Sequence, residues 1–309
     1  MTLVIDADAM TAPDRITRVV DALAEAFADL AAGRTRSPAR TIVEHGARQL
    51  LVGPAVWERR GVGSVKITTL TPDNPARGLP LIHGVVVLTD LDTGRITAIL
   101  DGAELTAVRT GAVAALATRL CAPEDADDLA LVGAGVQARA LVRAVSAVRP
   151  IRAVRVFSRG RERVEGFAAW VRAEFGHAVT VCDTAKAAVV GASIVCTATS
   201  TDDAVPLVAA DWITPGTHVN VIGGTTEEAI EVDPALLADA DVLVEERAAA
   251  LEDAGEVRAA VAAGWIGPDD LRELGSPPPA TGRTSVFRSV GMAIEDTAAA
   301  VALYEAVVG

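Results

Sequence analysis

A short apolar run, Leu129-Ala130-Leu131-Val132, leads directly into Gly133-Ala134-Gly135-Val136-Gln137-Ala138 and then into a helix-forming stretch. This places a G-x-G-x-x-A pattern at a strand-to-helix turn. Gly133 permits the tight turn, Gly135 lets a pyrophosphate approach the backbone, and Ala138 is small enough for close packing of the helix. The N–H groups at the helix start, around Val136 and Gln137, have no partner within the helix and face the phosphates. A plain structural turn would need the same glycines. The strand before, the helix after and the further strands downstream favour a dinucleotide site.

The next strand ends at Val156-Phe157-Ser158-Arg159-Gly160-Arg161, some 25 residues past the first glycine. A site for NAD usually presents Asp or Glu there to the ribose hydroxyls. Here Ser158 can donate a hydrogen bond to a 2'-phosphate, and Arg159 or Arg161 can pair with its charge. NADP(H) is therefore the preferred cofactor. The competing reading leaves both arginines as solvated surface charges and has NAD(H) bound with weaker ribose contacts.

These turns need a framework, and 309 residues suffice for two domains. Half of the residues are hydrophobic but only 3% are aromatic, so the core must be Ala, Val, Leu and Ile packed between regular elements. From Thr11 to Ala32, apolar residues recur at helical spacing between Pro13 and Gly33. β-like runs follow at Gln49 to Val52, Ser64 to Thr69, Leu81 to Asp90 and Arg95 to Leu100, the last two joined by a turn at Asp92-Thr93-Gly94. An Ala-rich helix from about Leu105 to Leu120 opens an alternation of helix and strand. Strands are predicted at Leu129 to Val132, Ala153 to Phe157, Val179 to Cys182, Ser193 to Thr197, His218 to Ile222 and Val242 to Val244. Helices at Gln137 to Val148 and Arg161 to Phe175 complete strand-helix-strand units, which imply a parallel, doubly wound α/β sheet. The Gly275-Ser276-Pro277-Pro278-Pro279 run is the clearest break and reads as a stiff surface loop, with a domain linker as the alternative, before a last helix, about Gly291 to Val308.

The charge balance excludes other classes. With 28 Lys plus Arg against 41 Asp plus Glu, the net charge is -13, which repels phosphate backbones and anionic membranes. Neither nucleic acid nor membrane is an expected partner. Met1 to Met10 show no basic stretch followed by an apolar run and no segment offers 18 uninterrupted apolar residues, so neither secretion nor a membrane span is expected, and Cys121, Cys182 and Cys196 lack metal or disulfide spacing. They read as reduced core residues of a cytoplasmic protein. His45, His83, His177 and His218 have no i, i+4 pairing or neighbouring cysteines, so no metal site is expected. An acidic chain that binds a small acid must gather its few cations locally.

Several motifs together resemble the ornithine cyclodeaminase and mu-crystallin family over nearly the whole chain. They are Pro38-Ala39-Arg40-Thr41, Val65-Lys66-Ile67, Gly78-Leu79-Pro80 and Leu105-Thr106-Ala107-Val108-Arg109-Thr110-Gly111-Ala112. Thr197-Ala198-Thr199-Ser200, Pro215 to Gly223 and Phe287-Arg288-Ser289-Val290-Gly291 follow. The resemblance implies a substrate and dimerisation domain, 1–112 with 292–309, beside a Rossmann domain, 113–291, with the active site between them, in a homodimer. It implies that Arg40, Lys66 and Arg109 line the substrate pocket and hold an amino-acid or imino-acid carboxylate. Lys66, a compact charge whose pKa falls when desolvated, would add proton transfer. It also places Thr110, Thr197, Ala198, Thr199, Ile222, Gly223 and Gly291 with the cofactor. Val65 and Ile67 flank Lys66 in a strand, and Arg109 is expected to begin the Ala-rich helix.

The chain departs from the cyclodeaminases at one position. They carry Asp after the Gly-Gly that ends the strand near the nicotinamide, whereas Gly223-Gly224 is followed here by Thr225. Glu231 matches the family's glutamate further on, so no shift of register restores an acid at 225, and Glu227 or Glu228 would serve only if the loop folded back. Imine reduction needs a hydride and one proton and no such base. The resemblance therefore implies an NAD(P)H-dependent reductase of imino acids such as pyrroline-2-carboxylate, or a related amino-acid dehydrogenase. A cyclodeaminase-type lyase and a non-catalytic NADP(H) or small-ligand binder are the alternatives.

Overall fold

A computed structural model describes residues 2–201, 204–224, 228–277 and 282–309; Thr225, Glu227, Pro278 and Pro279 lie outside the described residues. The chain divides into two units, Met1–Val113 with Gly291–Gly309, and Ala114–Val290. In chain order the first unit contains β1 (Leu3–Ile5), α1 (Pro13–Ala31), β2 (Thr35–Arg36), β3 (Thr41–His45), β4 (Arg48–Trp57), β5 (Val62–Leu70), β6 (Ile82–Asp90), β7 (Ile96–Asp101) and the start of α2 (Gly102–Cys121). The second unit continues with β8 (Asp128–Val132), α3 (Val136–Val148), β9 (Ala153–Phe157), α4 (Arg161–Phe175), β10 (Ala178–Val181), α5 (Ala185–Val189), β11 (Ile194–Thr197) and β12 (His218–Val221). It ends with β13 (Asp241–Val244), α6 (Arg247–Asp253), α7 (Gly255–Ala262), β14 (Leu271–Glu273) and β15 (Ser285–Arg288), before α8 (Ala293–Val308) returns to the first unit.

In α1, Pro13 occupies the first turn, where its missing N–H leaves no helical bond unmade. Ile16, Val19, Val20, Leu23, Ala26 and Phe27 form the buried stripe that the sequence spacing predicts. The stripe packs against α8, and α8 in turn covers β4, β5 and β6. Among the described residues the first sheet runs β1-β7-β6-β5-β4-β2, with β3 also paired to β4. Alternation along β5 sends Ser64 and Lys66 toward α8, where Ser64 Oγ meets Thr297 Oγ1 at 2.8 Å. Ile67 points to the opposite face with its cross-strand neighbours Val52 and Val85. The turn between β6 and β7 is closed by Asp90, whose carboxylate accepts from the Thr93 N–H and hydroxyl.

The second sheet is wholly parallel, in the order β10-β9-β8-β11-β12-β15-β13-β14 among the described residues. The order reverses between β8 and β11, and such a switch point opens a crevice at the carboxyl ends of the strands. Val and Ala fill the core on one face, and Leu129, Leu131, Val154, Val156, Phe167 and Val171 fill it on the other.

The sequence spacing places β9 and α4 with the observed bounds but misses β15, which lies between β12 and β13. Its four residues, Ser-Val-Phe-Arg, are all buried, yet polar types at both ends hide a central strand. The run at Gln49 to Val52 extends to Trp57, because Trp57 Nε1 donates to the buried Asp29 at 2.6 Å. Arg109 lies inside α2 rather than at its start, since the helix begins at Gly102. Cys121 and Cys196 are buried, whereas Cys182 is partly exposed.

Candidate functional site

Lys66 occupies the middle of β5 and faces the first turn of α8. Its Nζ lies 3.1 and 3.2 Å from the two carboxylate oxygens of Asp296. Asp296 Oδ1 also lies 3.3 Å from Arg109 Nε, so one carboxylate serves both cations. Arg109 Nη1 donates to Glu295 Oε2 at 3.0 Å, while Glu295 Oε1 accepts the Met292 N–H and caps α8. The side chains of Lys66 and Arg109 are only 15% and 12% exposed. Burial pushes the Lys66 ammonium below its ordinary pKa, and Asp296 pulls against that shift by charge and hydrogen bonding.

Two glycines set the boundaries of this cluster. Gly291 has φ +76°, and a Cβ there would fall 2.9 Å from Arg109 Nη1, so its backbone backs the guanidinium. Gly53 pairs with Lys66 across β4 and β5, and a Cβ there would meet only Ala293 Cβ of α8, at 3.8 Å. Thr110 is buried beside Arg109 in α2. Arg40 is placed differently. It precedes β3, next in register toward Gly53, is exposed, and has no ion pair among the described residues.

In the second unit, Gly133 ends β8 with φ +119°, and a Cβ there would collide with the Ala198 carbonyl. Its N–H donates to Phe157 O, tying the turn to the end of β9. A Cβ at Gly135 would meet nothing within 4 Å, Val136 is exposed at the start of α3, and Ala138 is buried. Gln137 Oε1 is buried without a hydrogen-bond partner among the described residues. An open backbone at Gly135 and a helix N-terminus at Val136, whose N–H groups can donate, fit the pyrophosphate of a nicotinamide dinucleotide. Ser158 is partly exposed at the end of β9, and Arg159 and Arg161 are exposed.

The carboxyl ends of β11 and β12 are joined by a residue to which the sequence assigns no role. Glu231 is fully buried and accepts four hydrogen bonds, from Thr197 Oγ1, Thr199 N, Thr199 Oγ1 and Gly223 N, at 2.6 to 2.7 Å. Both threonine hydroxyls are thus turned inward. Ile222 and Ala198, partly exposed, remain at this edge. Burial pushes the Glu231 carboxyl above its ordinary pKa against these donors. Glu295, Asp296 and Glu231 were missed as site residues because their partners lie 186, 230 and 34 residues away. The one local signal is the Glu295-Asp296 pair at the start of an otherwise apolar helix.

A wholly parallel sheet with a glycine turn after its first strand, joined to a second α/β unit, defines a Rossmann-type two-unit protein. Within that class the chain belongs to the ornithine cyclodeaminase/mu-crystallin family, whose sequence model matches residues 2–309. It is 33% identical to the Delta(1)-pyrroline-2-carboxylate reductase of Bacillus cereus over 98% of this chain and 96% of that protein. It is 32% identical to the ketimine reductase mu-crystallin of Mus musculus over 88% of this chain and 86% of that one. The structure of Thermococcus litoralis Delta(1)-pyrroline-2-carboxylate reductase in complex with NADH and L-proline matches with a TM-score of 0.90 and 28% identity, covering 98% of this chain and 97% of that chain.

Proposed function

We propose that the protein is an NAD(P)H-dependent reductase of imino acids, acting on a cyclic ketimine carboxylate such as pyrroline-2-carboxylate. The observation that carries this reading is the gathering of Lys66 and Arg109 on Asp296, in a chain that also bears the Gly133 to Ala138 turn. Relatives named as reductases of pyrroline-2-carboxylate and of ketimines support the substrate class.

In this reading the first unit binds substrate and the second holds the dinucleotide. Gly133, Gly135, Val136, Gln137 and Ala138 would hold the pyrophosphate, and Ala198, Ile222 and Gly223 would face the nicotinamide end. NAD(P)H, when bound, supplies the hydride. Arg109 offers a planar fork to the substrate carboxylate. Arg40, exposed and without an ion pair among the described residues, is the cation left to meet that carboxylate as it arrives. Lys66 holds a proton at Nζ against its own desolvation because Asp296 faces it, and so keeps the imine nitrogen protonated and electrophilic. The hydride forms a C–H bond at the imine carbon, the C=N π pair passes to nitrogen, and the amine is the product.

NADP(H) is the preferred cofactor, because Ser158 and the exposed Arg159 and Arg161 suit a 2'-phosphate and no carboxylate stands at 158. A homodimer is supported by the sheet face opposite α8, where Val43, Leu50, Ile67 and Val85 are exposed and apolar. Free thiols at Cys121, Cys182 and Cys196 suit a cytoplasmic location.

The experiment is a screen of cyclic imines, and of 2-oxo acids with amines, read by loss of nicotinamide absorbance beside an ammonia assay with ornithine. Cofactor oxidation with pyrroline-2-carboxylate is expected. Ammonia release from ornithine without net cofactor change would make the protein a cyclodeaminase instead.

A further inference from the structure

Arg288, in the Phe287 to Gly291 motif, is turned into the core of the second unit. It is 1% exposed, and its guanidinium donates to the carbonyls of Gly223, Gly224 and Ser289 at 2.7 to 2.9 Å. Its Nε lies 2.8 Å from Glu256 Oε2, and Glu256 Oε1 accepts the backbone N–H of Glu231. Glu231 then takes the Gly223 N–H and the Thr199 N–H and hydroxyl. The peptide turn after β12 is therefore held from both sides, by a carboxylate at its N–H and by a guanidinium at its carbonyls. Gly223 completes the fit, since a Cβ there would collide with the Glu231 carboxylate and the Thr199 carbonyl.

We infer that the buried chain Glu231, Glu256 and Arg288 is a positioning device, which sets the loops after β11 and β12 at the spacing needed by the nicotinamide half of the cofactor. The inference rests on the reductase reading above. Three buried charges cost desolvation, and a core of the same size could be apolar. What they provide is a fixed backbone at the edge where a hydride must travel, and a misplacement of about 1 Å there costs on the order of 10²-fold in rate. Glutamine cannot replace Glu231, because each carboxylate oxygen already faces a backbone N–H and an amide nitrogen would oppose one of them.

The test compares Glu231→Gln, Arg288→Lys, Thr199→Val and Thr199→Ser with the wild type, each first checked for folding by thermal melting. Three quantities are read: affinity for ADP-ribose, fluorescence of bound NADH, and kcat with KM for pyrroline-2-carboxylate. Glu231→Gln and Arg288→Lys are expected to keep ADP-ribose affinity, lose the nicotinamide emission change and lower kcat on the order of 10²-fold, with imine KM little changed. Should both fail to fold, the Thr199 pair carries the test: Val lowers kcat about tenfold and Ser restores it, the loss of one hydrogen bond to a charge. Folded variants with wild-type kcat and NADH emission, or ADP-ribose affinity lost in parallel with kcat, would overturn the inference while leaving the reductase reading intact. Absence of imine reduction by the wild type would overturn both.

Discussion

Lys66 Nζ sits 3.1 Å from Asp296 Oδ1, across 230 residues of sequence, with little solvent at either side chain. Asp296 therefore opposes the desolvation that lowers the Lys66 pKa. Arg109 pushes the same way as burial, and Glu295 pulls with Asp296. Replacing Asp296 by Asn removes the larger of the two anionic supports, so Lys66 loses its proton at lower pH. The alkaline limb of the kcat/KM profile for imine reduction should move to lower pH. An alkaline limb unmoved in Asp296→Asn would remove Lys66 from proton handling.

Arg109→Ala takes away the planar fork and its 3.0 Å bond to Glu295. The expected result is a rise in substrate KM of about 10²-fold, the usual cost of truncating one partner of a partly buried charge pair. Cofactor affinity should stay near that of the wild type, which separates the effect from global damage. An unchanged KM would place the substrate carboxylate elsewhere.

The cofactor preference is checked by the double replacement of Arg159 and Arg161 by Ala. Both are exposed, and Arg161 only approaches Glu165, at 4.0 Å, so folding should be unaffected. NADPH affinity should fall about tenfold while NADH affinity holds, consistent with loss of charge-assisted bonds to one phosphate. Equal or tighter binding of NADH by the wild type would defeat the preference.

Stability has its own pH signature in the first unit. Burial disfavours the Asp29 charge, but hydrogen bonds from Arg59, Trp57 and Arg34 outweigh it and hold the carboxyl at about 2. A depressed folded-state pKa stabilises the fold above the ordinary value of 3.8 and ceases to do so as pH falls toward 2. Asp29→Asn should lower the Tm by several degrees at neutral pH, about 2 kcal/mol. The gap from wild type should narrow as pH is lowered through that window, and melting curves at stepped pH check it.

How much of this was legible in the sequence depended on the range of each interaction. The glycine turn is local, and Gly133 to Ala138 showed both its strand and its helix. So did α1 and α4, where one side of a helix reports its burial. β15 was not legible, because Ser285 and Arg288 are polar types made tolerable by partners far away, such as His218 beside Ser285. For the same reason the resemblance could name Lys66 and Arg109, but only the fold could show that Asp296 joins them. Arg288 was visible as part of a motif, while its grip on Gly223 and Gly224 was not.

The most direct measurement is a crystal structure of the protein with NADH and pyrrole-2-carboxylate, a planar carboxylate that cannot accept a hydride. The account predicts the carboxylate within about 3 Å of Arg109 and Lys66 nitrogen atoms, with Arg40 turned toward it. A carboxylate bound away from both cations, with Lys66 and Arg109 still paired to Asp296 and Glu295, would contradict it.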